Sequence, residues 1–438
     1  MKLQSNSFFI GASTAAHQVE GNNIHSDFWT MENMKFSSFK EPSLDAVDHY
    51  NRYEEDIKLM AEAGLTAYRF SIEWARIEPK EGQFCKEEVE HYRKVILCCK
   101  EHGIQPIVTL HHFSSPEWLI YKGGWGKPYV IDAFARYAGY IASELGSELE
   151  YICTINEANM GYQLRKVAAE VTKNNKKKEG DVQVGVQMDM KKILLSIFQA
   201  AWHYKCAPGK INIFLNPRSI EQEIYVMKAH QKAKVQIKNV SPDTKVGLTL
   251  SLYDIQVEPG GEKLAKTLWD EDFEFYLPYI QEDDFLGVQN YTRKVVGPDG
   301  IIEPETTRPV TQMGYENYPF SIGNLVRRVA TRFHGDLIIT ENGISTDDDE
   351  VRCEYIKDAV NGVLNAVKDG IPVKGYCYWS LLDNFEWQAG YDKTFGLIAV
   401  DRKTQIRYPK ASLKLLGSFA EKISILNLTS DSSTLNKK

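Results

Sequence analysis

Residues 336–379 read DLIITENGISTDDDEVRCEYIKDAVNGVLNAVKDGIPVKGYCYW. Two short runs rich in Val, Ile and aromatics, Leu337–Thr340 and Val373–Trp379, flank a stretch with helical apolar spacing, Val351–Lys368. Strand, helix and strand in this order predict parallel strands joined by a crossover helix.

The same alternation extends back through the chain. Further strand candidates are Phe8–Gly11, Ala67–Ser71, Pro106–Leu110, Tyr151–Ile155, Lys245–Leu250 and Phe285–Val288, which with the first two make eight. Helical patterns at Tyr53–Ala63, Glu87–His102, Ile131–Gly146 and Ile220–Lys238 separate several of them. Eight such units predict an α/β fold, a single closed (β/α)8 TIM barrel. The connections 18–50, 111–130, 156–192 and 289–318 are long, and in such barrels the loops after the strands build the active site. Gly and Pro punctuate the alternation without dividing it, so one domain is expected over 1–429 with a disordered tail at 430–438. The polar stretch Lys173–Gly180 is expected to be a solvated loop.

Composition narrows the partners. The chain has 438 residues, 43% apolar and 25% charged, with net charge −7, which suits a globular protein and gives no electrostatic case for nucleic acid or an anionic membrane. Seven cysteines at 85, 98, 99, 153, 206, 353 and 377 form no regular framework, as expected of a reducing compartment. Met1–Asn6 lacks signal-peptide features and no run of 18 apolar residues occurs, so a cytoplasmic location is expected. His111-His112 lack further ligands at metal spacing, so neither metal nor cofactor is expected. Oligomeric state is not written in the sequence.

Two glutamates end apolar runs next to an asparagine: Asn156-Glu157 after Tyr151–Ile155, and Glu341-Asn342 after Leu337–Thr340. Such carboxylates facing one pocket suit glycoside hydrolysis, where one protonates the leaving oxygen and the other attacks or activates water. Either motif alone reads more readily as a surface residue or a helix cap.

The motifs in sequence carry a resemblance. Phe9-Ile10-Gly11-Ala12 leads to Gln18-Val19-Glu20-Gly21, followed by Tyr68–Trp74, Thr109–Phe113, Asn156-Glu157, Asn290-Tyr291, Thr340–Gly343 and Trp379–Trp387. In joint order and spacing they resemble glycoside hydrolase family 1, retaining exo-acting enzymes of the β-glucosidase type. The resemblance implies that Glu341 is the nucleophile and Glu157 the acid/base. It also implies that Arg69 and Tyr291 keep Glu341 ionised by donating to it, while Glu157, with less positive charge nearby, keeps its proton. Gln18, His112, Asn156, Glu386 and Trp387 resemble the contacts to the terminal sugar, Asn156 facing its 2-hydroxyl, and Trp379 resembles the platform beneath it. Read by residue type alone, Trp379 would be core packing, His112 a satisfied histidine and Arg69 an ion-pair partner of Glu73.

The chain departs from the family pattern at Phe113, Ala158, Gln289 and Thr394, where tryptophan, proline, asparagine and arginine are usual, and Gly161–Pro208 matches poorly. The Glu386 carboxylate would repel a 6-phosphate, which favours free sugars. The resemblance therefore implies hydrolysis of a terminal β-glucoside, with β-galactoside or β-fucoside as alternatives and a small glycoside or oligosaccharide as the partner. A transglycosylase and a noncatalytic sugar-binding barrel are the rival readings.

Overall fold

The computed structural model describes residues 8–174, 190–304 and 309–435. Its central sheet consists of β1 (Phe9–Ser13), β2 (Ala67–Ser71), β3 (Gln105–His111), β4 (Tyr151–Ile155), β5 in two pieces (Lys245–Gly247 and Thr249–Ser251), β6 (Phe285–Gln289), β7 (Asp336–Asn342) and β8 (Val373–Trp379). Neighbours pair in parallel around the ring. Gly11 faces Ala67, Ile107 faces Tyr151, Ile338 faces Gly375, and Phe9 faces Gly375 from the other side. The break at Leu248 divides the duties of β5: its first piece pairs with β4 and its second with β6, while Leu248 O accepts from Gly287 N at 2.9 Å. Each strand thus has two neighbours, and the barrel closes without an exposed edge.

A helix follows each strand. They are α1 (His49–Ala63), α2 (Lys86–Glu101), α3 (Tyr129–Leu145), α4 (Ile220–Val240), α5 (Glu262–Trp269), α6 (Ser321–Ala330), α7 (Asp349–Lys368) and α8 (Ala411–Leu435). Because they cover the outer face of the sheet, outward residues such as Val108, Leu110, Ile152 and Ile339 are as buried as inward ones. This two-sided burial makes the strands read as continuous apolar runs. Each fully buried Val, Ile or Leu contributes about 1.5–3 kcal/mol.

The inner face changes character along the barrel. Phe9, Ala67, Ile107, Tyr151, Cys153, Phe285, Ile338 and Cys377 form an apolar plug, mostly from the starts of the strands. Two residues further along, the period of a strand returns Arg69, Thr109, Thr340 and Trp379 to the same face. Polar side chains collect at the C-terminal end over an apolar floor. Gly287 permits the close packing there, since a Cβ at that position would lie 2.6 Å from Thr249 Cγ2 and 3.0 Å from Thr340 Cγ2.

Several expectations change. The ladders run past the apolar residues to include Ser13, His111, Glu341 and Asn342, because strand ends that line a pocket need hydrogen bonding, not apolarity. The connection 156–192 contains the helix Met160–Asn174 and the start of a second, Met190–His203. The polar stretch begins inside the first of these, and 175–180 lies outside the described residues. The connection 289–318 holds strands Arg293–Gly297 and Gly300–Ile302, which form a small sheet with Asp254–Val257. Helices α5 and α6 were not expected, being too short for a clear period. Helix α8 runs to Leu435, so residues 430–435 of the tail expected to be disordered are helical, and 436–438 lie outside the described residues. Among the described residues no helix is long and apolar enough to cross a membrane.

Candidate active site

Strand β4 ends in a turn that aims Glu157. Asn156 N donates to His111 O at 2.8 Å, Glu157 N to Thr249 Oγ1 at 2.8 Å, and Ala158 N to Thr249 O at 3.0 Å. These bonds hold Glu157 at φ 42°, a left-handed conformation uncommon for a side chain this long. Ala158 supplies an N–H that the usual proline would lack. Its carbonyl accepts from Arg218 Nη2 at 2.7 Å.

Glu341, next to the end of β7, receives two strong donors. Arg69 Nη1 donates to its Oε1 at 2.6 Å and Tyr291 Oη to its Oε2 at 2.6 Å. Arg69 is wholly buried and also donates to Thr109 Oγ1 at 3.0 Å and Asn156 Oδ1 at 2.5 Å. It pairs with Glu341 and not with Glu73, which accepts instead from Ser114 Oγ at 2.5 Å and Ala75 N at 3.1 Å.

The two carboxyls share a pocket lined by His112, Phe113, Tyr291, Trp379, Glu386, Trp387 and Phe395. Burial and the neighbouring Glu341 charge raise Glu157 well above the usual carboxylate range, against a weaker pull from Ser251, whose hydroxyl bonds to it. Burial raises Glu341 too, but Arg69, Tyr291 and Gln289 all oppose that rise. Since those donors bear mainly on Glu341, it is the member of the pair that ionises first. Of the two, Glu157 is therefore the one that holds its proton more tightly.

The other expected residues surround this pair. Gln18 Nε2 donates to Phe385 O at 2.8 Å and to Glu386 Oε2 at 3.2 Å. His112 stacks on Trp379 at 5.7 Å and on Trp387 at 6.1 Å. Asn156 Oδ1 takes donors from Arg69, Gln289 Nε2 at 2.7 Å and Thr249 Oγ1 at 3.2 Å, so its Nδ2 faces His112 Nε2 at 3.2 Å. His112 Nε2 is therefore the acceptor and its proton sits on Nδ1. Burial and Arg69 keep the ring neutral. His111, by contrast, points outward against Trp125 and Phe214 with Nε2 3.0 Å from Ser115 Oγ, as period-2 alternation requires.

Buried polar atoms without a partner among the described residues include Gln18 Oε1, His112 Nδ1, Glu157 Oε2 and Gln289 Oε1. Left unmet, each costs about 1–3 kcal/mol. Their grouping around one pocket suits a ligand with many hydroxyls. Among the described residues no cluster of three or more His, Cys, Asp or Glu could hold a metal ion.

Sequence reasoning missed Ser251 and treated Gln289 only as a departure. Neither stands in a motif that the sequence singled out as chemical; only the fifth and sixth strands' registers bring them to Glu157 and Glu341. Of the other departures, Phe113 packs at 5.2 Å from Trp387. Thr394 Oγ1 donates to Asp347 Oδ1 at 2.8 Å.

The model of the family described as Glycosyl hydrolase family 1 matches residues 2–179 and 275–424. The chain belongs to glycosyl hydrolase family 1. The family match lapses over 180–274, later than the stretch 161–208 that looked divergent in sequence. Beta-glucosidase A of Thermotoga maritima is 29% identical, covering 92% of this chain and 95% of that protein. A 6-phospho-beta-galactosidase of Streptococcus equi subsp. zooepidemicus is also 29% identical, covering 94% of each. The crystal structure of beta-glycosidase BGL167 superposes with a TM-score of 0.85 at 41% identity, covering 96% of this chain and 97% of that one.

Proposed function

We propose that the chain is a retaining exo-β-glycosidase that removes a terminal β-glucosyl unit, with Glu341 as nucleophile and Glu157 as acid/base. The observation that carries this reading is the asymmetry of the pair. Glu341 faces a guanidinium and a phenol, each at 2.6 Å, whereas Glu157 faces a serine hydroxyl and the Glu341 charge. An ionised Glu341 attacks the anomeric carbon while Glu157 passes its proton to the leaving oxygen. Once the ester forms, the Glu341 charge is gone. Glu157 then loses the repulsion that held its proton and can draw one from the incoming water.

The terminal sugar would lie against Trp379, its rim met by Gln18, His112, Glu386 and Trp387. Similarity to beta-glucosidase A supports a β-glucoside. The relative named for a phosphorylated galactoside raises a second substrate class. The buried Glu386 carboxylate, tied to Gln18, disfavours it by charge.

The test is release of p-nitrophenol from a panel of β-glycosides by wild type, Glu341→Ala and Glu157→Ala. Activity should vanish in the first variant. In the second, azide should restore it and yield the β-glycosyl azide. An inverted azide product from Glu157→Ala, or a wild type that binds sugar without hydrolysing any substrate, would overturn the assignment.

A further inference from the structure

The helical turn Ala16–Val19 sends two neighbouring side chains to the segment 385–387. Gln18 reaches Glu386. His17, which lies outside the motifs, reaches the next residue: its imidazole stacks on the Trp387 indole with centroids 5.7 Å and planes 3° apart, and meets Phe385 edge-on at 6.1 Å. Both of its ring nitrogens are engaged. Nε2 lies 3.2 Å from Glu32 Oε2, and Nδ1 lies 3.1 Å from Asn23 Nδ2. Neither the His17 nor the Glu32 side chain is exposed at all. Glu32 is fixed in turn, because Ser43 Oγ donates to its Oε1, and Ser43 O accepts from Tyr391 Oη at 2.7 Å.

Packing alone does not call for this arrangement, since apolar side chains of similar size are commonly as stabilising as a buried acid–histidine pair. The pair adds direction. A phenyl ring in the place of His17 could swing about its broad χ2, whereas an imidazole bonded at both nitrogens sets one plane for the indole stacked on it. Trp387 lines the glutamate pocket at φ 46°, a left-handed conformation uncommon for a bulky residue. Its indole N–H, the one donor an indole has, meets no acceptor among the described residues. A hydrogen bond weakens steeply as its angle falls from about 150° towards about 120°, so a modest tilt of the indole would forfeit a bond to a sugar hydroxyl.

We propose that His17, held by Glu32, is a positioning residue for sugar binding: it fixes the plane of Trp387 and so aims the indole N–H at a hydroxyl of the terminal sugar. This rests on the reading of Trp387 as a sugar contact. Neither His17 nor Glu32 lines the pocket, so the pair acts on sugar affinity through Trp387 and not on bond cleavage.

The test removes the pair without stranding a buried carboxyl, as His17→Phe combined with Glu32→Leu, and repeats this in a Trp387→Phe background. Titration calorimetry gives Kd for glucose, and p-nitrophenyl β-glucoside gives KM and kcat. With Trp387 intact, the combined substitution should raise Kd and KM about 2- to 12-fold, the range for one hydrogen bond, and leave kcat within about twofold. With Trp387 already replaced by Phe, it should leave both constants unchanged, a dependence that a general loss of packing would not show. Equal rises in both backgrounds, or no rise with Trp387 intact, would overturn the proposal. So would Trp387→Phe binding glucose as tightly as the wild type. Calorimetry decides this without turnover, so a wild type that hydrolyses nothing would count against the glycosidase reading alone.

Discussion

Removing one oxygen from Tyr291 isolates the device that keeps Glu341 ionised. In Tyr291→Phe the ring keeps its packing against Tyr315, Phe395 and Trp379, while Glu341 Oε2 loses a donor at 2.6 Å in a fully buried setting. A hydrogen bond to a charged group is worth about 1.5–3 kcal/mol. At about 1.4 kcal/mol per pKa unit, the Glu341 carboxyl should rise by about one to two units. The sign follows from the required state: Glu341 attacks only when ionised, so activity falls as pH drops through its pKa. A higher pKa shifts the acid limb of the kcat/KM profile to higher pH by that amount. The alkaline limb, set by the Glu157 proton, should move less, although the two carboxyls titrate as a pair. The assay is kcat/KM from about pH 4 to 9 with an aryl β-glycoside, with thermal unfolding to confirm that the variant is folded. An acid limb within about 0.3 unit of wild type would refute the argument, since it would mean that Arg69 and Gln289 set the ionisation of Glu341 without Tyr291.

Two further outcomes concern stability. Arg407 binds both oxygens of Asp56 at 2.8 and 2.9 Å with neither side chain more than 1% exposed, tying β8's return segment to α1. Arg407→Met should destabilise the fold by about 3–5 kcal/mol in urea titration, because it strands a buried carboxylate. A loss under about 1 kcal/mol would show that His49, 2.8 Å from Asp56, compensates. Burial pushes the Asp27 carboxyl up to about 8, against amide donors from Ser115 and Phe28. The folded state then holds a proton that the unfolded state releases near pH 4, so this group's contribution falls as pH rises, by up to about 1.4 kcal/mol per unit, until pH 8. Asp27→Asn should remove that slope between pH 5 and 7, and an unchanged slope in the variant would show that Asp27 ionises normally.

Much of the fold was legible because a parallel barrel buries both faces of its strands. That demand writes itself as apolar runs such as Leu337–Ile339 and Val373–Trp379, separated by helices with a readable period. Where burial is not the constraint, the sequence was silent. Strand ends carrying Ser13, His111 and Asn342 are hydrogen-bonded for position, and α5 and α6 are too short to show a period. The segment 156–192 looked like loop because its polar residues hid the helix Met160–Asn174.

The sequence by itself determined the chemistry on offer: two strand-end glutamates, Arg69 and Tyr291, and the polar and aromatic set from Gln18 to Trp387. Each belongs to a local motif, and local motifs survive in one dimension. Only the tertiary structure decided which groups act on which. Arg69 could have paired with Glu73, four positions away, yet the closed ring carries it to Glu341, 272 positions away. Ser251 and Gln289 acquired their places beside Glu157, Asn156 and Glu341 through strand register alone. Glu157 and Glu341 are distinguished by neighbours contributed by β2, β5 and the loop after β6. Electrostatic differences of that kind depend on distances of a few ångströms, which chain order does not encode.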